Sequence, residues 1–345
     1  MKRFGTVGLV FIGFVAGVFY VLSCGGGSTG DAQTNAELLA RIEVLEAKLA
    51  YMSVVDTTIN GLAGPHVIFD GVNLHVQNGL GMTETINGLG NLIVGYNQGD
   101  DYDPANRKGS HNLVVGTDHE YPSLGGFVAG NENKILARFA SVCGGAENTA
   151  SGHLSHVSGG ARNNADGTAS VVSGGFESTA SGAYATVSAG YYNAASGTYS
   201  SVGGGLNNTA SGSKASVSGG NTNLASGDSS SVSGGFQNSA VNIFSHVSGG
   251  QANTASGNAS VVSAGFGNSA IGDYSSISGG ENNVANGEMS SISGGINNTA
   301  SGVESSISGG SNNAASGSNS NVSGGTSRSA TGVDDWAAGS LFEDN

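Results

Sequence analysis

The sequence predicts an all-β fold, a parallel β-solenoid of 15-residue coils, and three observations carry that reading. From Val142 to Val322 the unit Val-Ser-Gly-Gly-x-x-Asn-x-Ala-Ser-Gly-x-x-Ser-Ser recurs thirteen times with no insertion or deletion. Its first position is Val or Ile in every copy, and an Ala follows eight residues on without exception, from Ala150 to Ala330. The second Gly of each pair is equally constant, from Gly145 to Gly325. A fixed period without slippage is the mark of coils stacked one on another, each touching only its neighbours. A flexible Gly/Ser/Asn tract has no reason to hold a β-branched residue and an Ala in register over thirteen copies.

Composition agrees with a repeat protein and excludes several classes. There are 61 Gly, 3 Pro and 1 Trp in 345 residues, and only 10% are charged. Collagen would need Gly at every third residue, and that triplet is absent. The formal charge of −14 disfavours nucleic acid, whose phosphates call for a basic surface. Within the repeats Arg162, Lys214 and Arg328 face eight carboxylates, so most of the surface is neutral hydroxyl and amide.

At the amino terminus Lys2 and Arg3 precede an apolar run from Val7 to Leu22, followed by Val21-Leu22-Ser23-Cys24. A basic head, a short apolar stretch and a small residue at its end describe a secretory signal. The end of the run resembles a bacterial lipobox, which implies that Cys24 is lipidated and that the chain is exported to a bacterial outer membrane or cell surface. An uncleaved anchor is the alternative, since the run is nearly long enough to span a bilayer. Gly25-Gly26-Gly27-Ser28 then reads as a flexible tether. Cys143, in the place of the repeat's first Ser, has no intrachain partner if Cys24 carries lipid.

Leu38, Ile42, Leu45, Leu49 and Met52 are spaced 4, 3, 4 and 3, with charged residues between them. That is the seam of a short coiled coil, and it leaves two, three or four strands open. Between Val54 and Phe127, short apolar runs punctuated by Gly read as strands. Leu92, Leu113 and Phe127, set on the repeat's first position, precede Val142 at spacings of 21, 14 and 15, with an inserted loop from Tyr96 to His111. Asp100, Asp101 and Asp103 in that loop lack the spacing of a calcium loop and read as solvated acid. The chain thus divides into a signal peptide (1–23), tether (24–34), coiled-coil stalk (35–53), transitional β segment and cap (54–126), solenoid head (127–332) and carboxy-terminal cap (333–345).

Fifteen residues cannot enclose a wide core. Val157, Val172, Val187, Val217 and Val232 are expected to point inward, with Ala165, Ala180 and Ala210 opposite them. The constant Gly implies a backbone angle or close approach that a Cβ would forbid. The recurrent Asn tolerates left-handed geometry and can bond along a ladder of its own copies. At about 4.8 Å per coil, thirteen coils give a rod of about 60 Å. One Val and one Ala per coil bury little apolar area, which argues for several chains side by side.

The unit resembles the head repeat of the YadA-like trimeric autotransporter adhesins, whose pattern is Ser-Val-Ala-Ile-Gly-x-x-Ser-x-Ala-x-Gly. Ser216, Val217, Gly220, Ala225 and Gly227 fall on that pattern, with Asn223 at its second Ser and Ser218-Gly219 in place of Ala-Ile. The resemblance implies a left-handed parallel β-roll in three chains, an adhesive surface role and a homotrimer. It covers more than half of the chain, in an inverted order of stalk and head. The family's carboxy-terminal membrane barrel has no counterpart here, where Trp336, Leu341 and Phe342 read as a tip cap.

No catalytic, metal or cofactor site is expected. The seven His do not pair with Cys or carboxylate at a useful spacing, and no Gly-rich string continues as a phosphate loop. Asp273 and Glu288 stack in neighbouring coils without a supporting cluster. The variable positions do carry a pattern. Phe176, Tyr191, Phe236 and Phe266 fall four residues after the repeat Val, and Tyr184 and Tyr199 fall twelve after it. Such stripes read as a binding face for protein or glycan, or as contacts between chains. The expected function is a non-enzymatic, adhesin-like trimeric surface fibre or spacer with an unidentified surface ligand. The alternative is a polysaccharide- or ice-binding solenoid, although Ser rather than Thr dominates the ranks.

Overall fold

The computed structural model describes residues 29–99 and 103–339, in two compact units that divide after His75. The signal segment with Cys24, the loop residues Asp100 and Asp101, and Leu341 and Phe342 lie outside the described residues.

In the first unit, helix α1 spans Thr29–Leu49. It begins inside the stretch expected to be a tether, because past Gly30 the sequence is rich in Ala, Gln, Glu and Leu, which favour helix. Leu38, Ile42, Leu45 and Leu49 line its seam and are 41–56% exposed. Met52 does not continue that seam. It opens strand β1 (Met52–Val55), which pairs antiparallel with β2 (His66–Phe69), Met52 opposite Phe69 and Val55 opposite His66. Val54 and Val55 favour the pleat, and Asn60-Gly61, both at positive φ, close a tight turn nearby in which Ile59 and Leu62 exchange bonds of 2.9 and 3.0 Å. Among the described residues no helix is long and apolar enough to cross a membrane.

The second unit is a parallel β-solenoid. Its first coils are set by β3 (Leu92–Val94), β4 (Leu113–Thr117) and β5 (Phe127–Asn131), paired in that order. The pairing corrects the expected alignment by one residue. Phe127 pairs with Ser141 and Val128 with Val142, so the inward column runs Ile93, Val114, Val128, Val142 at spacings of 21, 14 and 14. A one-residue slip exchanges the faces of a strand. Val114 and Val128 are accordingly fully buried, while Leu113 and Leu92 are exposed.

From Val142 onward each coil contributes two short strands. One ends in the repeat Val or Ile and stacks on the same residue of the next coil, as Val172 does on Val187. The other ends in the repeat Ala, as Ala165 stacks on Ala180. Val157, Val172, Val187, Val217, Val232, Ala165, Ala180 and Ala210 are all 0–1% exposed and belong to one continuous core. Tyr121 and Ile135 fill the Ala side in the first coils, so the interior is wider there and narrows to Ala beyond. The chain passes from the Val sheet to the Ala sheet through one edge and returns through the opposite edge. The first edge carries a third ladder of single bridges, through Ala146, Ala161, Phe176, Tyr191 and Leu206.

Two polar columns run inside the coil. The repeat Asn is buried; at Asn163 the backbone N–H donates to the Asn side chain of the coil before, and the side chain bonds to the coil after. The Asn itself is not left-handed, contrary to expectation. The residue before it is, as at Glu147 and Arg162 (φ 56° in both), because the turn closes one position earlier. The second column is the Ser two residues before most of the repeat Val or Ile, among them Ser155, Ser170, Ser290 and Ser320, fully buried. Those four hydroxyls find no hydrogen-bond partner.

The constant second Gly of the pair has φ of +82° to +105°. At Gly250 a Cβ would lie 2.3 Å from the Gly265 carbonyl oxygen of the next coil and 2.6 Å from the Asn253 amide nitrogen. The first Gly of the pair meets nothing within 4 Å at Gly249, and Ala264 occupies its place in the next coil.

At the carboxy end the stack continues past residue 332, with Trp336–Ala337 pairing on Asn321–Val322. Trp336 is exposed and donates its indole N–H to Ser323 Oγ at 2.7 Å. Beside it, Asp335 closes the edge of the last described coil. In the coil before, Ser316 and Gly317 donate their N–H groups to Ala330 O. For Thr331 and Gly332 the Asp335 carboxylate takes the place of that next coil, at 3.1 and 2.5 Å. An exposed ladder end is thereby closed.

Candidate interaction surface

With Val, Ala, Asn and the first Ser of each Ser-Ser pair turned inward, the outward residues fall in ranks parallel to the stack. The residues flanking each Val make a flat hydroxyl face, as at Ser276 and Ser278, Ser291 and Ser293. His156 and His246 stand on that face in the same setting. Each ring lies between two Ser hydroxyls, His156 at 2.7 Å from Ser141 and 3.0 Å from Ser158, His246 at 2.6 Å from Ser231 and 2.9 Å from Ser248. No carboxylate completes either group into a triad.

The two edges carry the larger side chains. Four positions after the Val stand Phe176, Tyr191, Phe236 and Phe266, half-buried to 58% exposed at Tyr191. Twelve after it stand Tyr184, Tyr199, Phe244 and Tyr274, each more than half exposed. The latter four have φ of 56–59°, a region that bulky side chains avoid at a cost of about 1–2 kcal/mol each. Rings pair only along an edge. Tyr184 stacks on Tyr199 at 4.8 Å with 6° between the planes, and Phe176 meets Tyr191 at 6.1 Å and Tyr192 at 5.9 Å. Among the described residues no ring pair joins one edge to the other.

Charge is concentrated at the start of the first edge. Arg162 bridges Glu147 at 2.9 Å and Glu177 at 3.4 Å, one coil to each side, and lies 5.7 Å above the Phe176 ring. Nearby, Asp118, Glu120, Glu132, Lys134 and Glu147 line a shallow hollow, in which Lys134 pairs with Glu120 at 2.7 Å. These pairs are solvent-exposed and contribute little to stability. Arg107 is more enclosed: it reaches Asp118 at 2.9 Å and donates to Asn97 O at 2.6 Å, pinning the inserted loop. Asp103 caps a short 3-10 turn through Ala105 N–H at 2.8 Å. Among the described residues no group of three or more His, Cys, Asp or Glu is placed to hold a metal.

Asp273 and Glu288 do share an exposed rank, but Asp273 accepts the Asn258 N–H at 2.8 Å, and Asp228 accepts the Ser213 N–H at 3.1 Å. Asp273 and Asp228 thereby close ladder bonds at the edge. His119 has no sequence signal that sets it apart from the other six His. It is fully buried in the column otherwise held by Asn, with its pKa lowered by burial. Asn133 N–H donates to its Nδ1 at 3.2 Å, so the proton sits on Nε2, which donates to Val115 O at 3.0 Å. Cys143 is a free, exposed thiol. No protein-family model matches this chain, and the search of curated proteins found no match.

Proposed function

We propose that this chain is a non-enzymatic surface fibre, lipid-anchored through Cys24 and assembled from three copies, that works as an adhesin or as a spacer. The observation that carries the reading is the division of labour along the coil. The Val, Ala, Asn and second-Gly positions are used up in stacking, and a near-constant hydroxyl rank and the variable ranks face solvent. A stack of this kind holds a surface at a distance and presents it, which is the task of a fibre. Assembly is supported by the apolar groups that one copy leaves uncovered: Leu38, Ile42, Leu45 and Leu49 on α1, and separately Ile93 and Val94 in the first coils. The likeness of the repeat to YadA-like heads supports a left-handed roll and a trimer. The mass in solution of the exported region, begun at residue 24 as Cys24→Ser, tests the assembly. Three copies are expected, and a stable monomer overturns it. Attachment of cells displaying the chain to protein- or glycan-coated surfaces, compared with cells lacking it, tests the adhesive role.

A second reading, a polysaccharide- or ice-binding solenoid, is favoured by the exposed Tyr184–Tyr199 stack beside flat hydroxyl ranks. Retention on insoluble polysaccharide that is lost in Tyr184→Ala/Tyr199→Ala would favour it. Glycan cleavage lost in Glu288→Gln would overturn the non-enzymatic reading altogether.

A further inference from the structure

The two aromatic edges are matched coil by coil. Among the thirteen repeats, an aromatic residue stands four after the Val in four coils: Phe176, Tyr191, Phe236 and Phe266. An aromatic stands twelve after it in the same four coils, as Tyr184, Tyr199, Phe244 and Tyr274, and in no other. Several coils with a small or polar residue at the first position show the same at the second, as in Ala161 with Ala169, Asn221 with Ser229 and Gln251 with Ala259. Ala146 with Leu154, Leu206 with Lys214, Glu281 with Met289 and Ile296 with Glu304 are unmatched, so the agreement is one of the aromatics. Phe139, in a 14-residue coil before the repeats, stands outside the rule and packs on His153 instead, at 6.0 Å.

Nothing inside one copy accounts for the match. The two positions lie on opposite edges of the coil, with the buried Ala strand between them on one side and the Val strand on the other. Rings contact rings of the same edge only. The second edge also holds its aromatics at positive φ, a strain that exposure to water does not compensate. A second copy of the chain does account for it. When copies stand parallel and in register, equal coils lie at equal height, and one edge of each copy faces the opposite edge of its neighbour. Such head-to-tail contacts close into a ring. Aromatic then meets aromatic at all four levels that carry one.

We infer that copies of this chain pack side by side with the Phe176–Phe236–Phe266 edge of one against the Tyr184–Phe244–Tyr274 edge of the next, coil level with coil. The inference rests on the proposed homo-oligomer and specifies its interface in the solenoid. It also assigns the stripes to contacts between chains rather than to a ligand.

Disulfide trapping tests it in the full chain with Cys24→Ser and Cys143→Ser, purified in mild detergent. Asn221→Cys and Ser229→Cys lie on opposite edges of one coil, and neither is a bulky position. Mild oxidation of the double variant is expected to convert most of the chain to disulfide-linked multimers on non-reducing gels. Each single variant should yield at least ten-fold less, as should Asn221→Cys with Ala259→Cys, which are two coils out of level. Equal multimer yield from the offset pair or from Asn221→Cys alone overturns the pairing. So does an absence of multimers from the level pair when the mass in solution is that of an oligomer. A monomeric mass would instead remove the oligomer itself, and the interface with it. Unchanged circular dichroism in each variant establishes that the coils are intact.

Discussion

The backbone N–H of Asn163 lies 3.0 Å from the side-chain oxygen of Asn148, its counterpart one coil earlier. The Asn163 amide in turn donates to Gly159 O at 3.1 Å within its coil and to Gly175 O at 2.9 Å in the next. The backbone N–H and side chain of one residue together thus join three successive coils. The column runs from Asn97 through His119, Asn133 and Asn148 as far as the Arg328 N–H, which Asn313 accepts at 2.8 Å. Backbone groups that the thin apolar core cannot shield from water are paired by it.

Asn223→Ala should therefore cost about 1–3 kcal/mol, the penalty of leaving the buried Asn238 N–H without its acceptor. Asn223→Ser should cost less, because the natural Ser178 still accepts the Asn193 N–H, at 3.4 Å, although it cannot reach the Gly carbonyls. Urea unfolding followed by circular dichroism would check the order Asn, Ser, Ala. An Ala variant as stable as the parent would mean that the column is ornamental.

The buried Ser column makes the opposite prediction. Ser290 Oγ is fully buried without a partner, and Ala185 and Ala215 occupy its position in other coils, also fully buried. Ser290→Ala should leave stability unchanged or raise it by up to ~1 kcal/mol, since an unpaired hydroxyl is a cost rather than an asset. Ser293, whose outward rank looks identical in sequence, should respond within about 0.5 kcal/mol as surface positions do. A loss of several kcal/mol in Ser290→Ala would show that the hydroxyl has a partner.

The two Gly of each pair separate in the same way. Gly250→Ala combines φ of +87° with a Cβ 2.3 Å from the next coil's carbonyl oxygen, so the coils must part. At least ~2 kcal/mol should be lost, from the left-handed conformation and the clash together. Gly249→Ala should be tolerated, as Ala264 is in the following coil. Thermal unfolding of the pair would read the contrast directly, and equal melting points would refute it.

The sequence displays the period, the Val and Ala columns and the constant Gly because each is a position where a single residue type fits. It hides what depends on facing alone. Ser290 and Ser293 are the same residue three apart, one sealed and one in water, and no composition rule tells them apart. The slip at Phe127 was hidden because a coil of 14 residues still keeps an apolar residue at the expected place. Many of the left-handed positions bear Tyr, Glu, Met or Lys, and Asn or Gly stands at only some of them, as at Asn207 and Gly267, so they gave no consistent turn signal. The matched edges were legible as stripes. Their coil-by-coil agreement gains meaning only once the two stripes are known to stand on opposite edges.

His119 gives the chain a pH dependence whose sign follows from its place in the column. Burial lowers its pKa in the fold below the ordinary 6.5, and the bond from Asn133 N–H requires Nδ1 to be bare. Between the folded and unfolded pKa the unfolded chain binds a proton that the fold does not, so stability falls as pH drops. The contribution is fully present above about 6.5 and is lost progressively below it, before carboxylates begin to titrate near about 4. His119→Asn places in this coil the residue that Asn133 and Asn148 supply in the next two. Its melting temperature should be flat where that of the parent declines, between about pH 6.5 and 5. The parent's decline persisting unchanged in His119→Asn would assign the effect to another group.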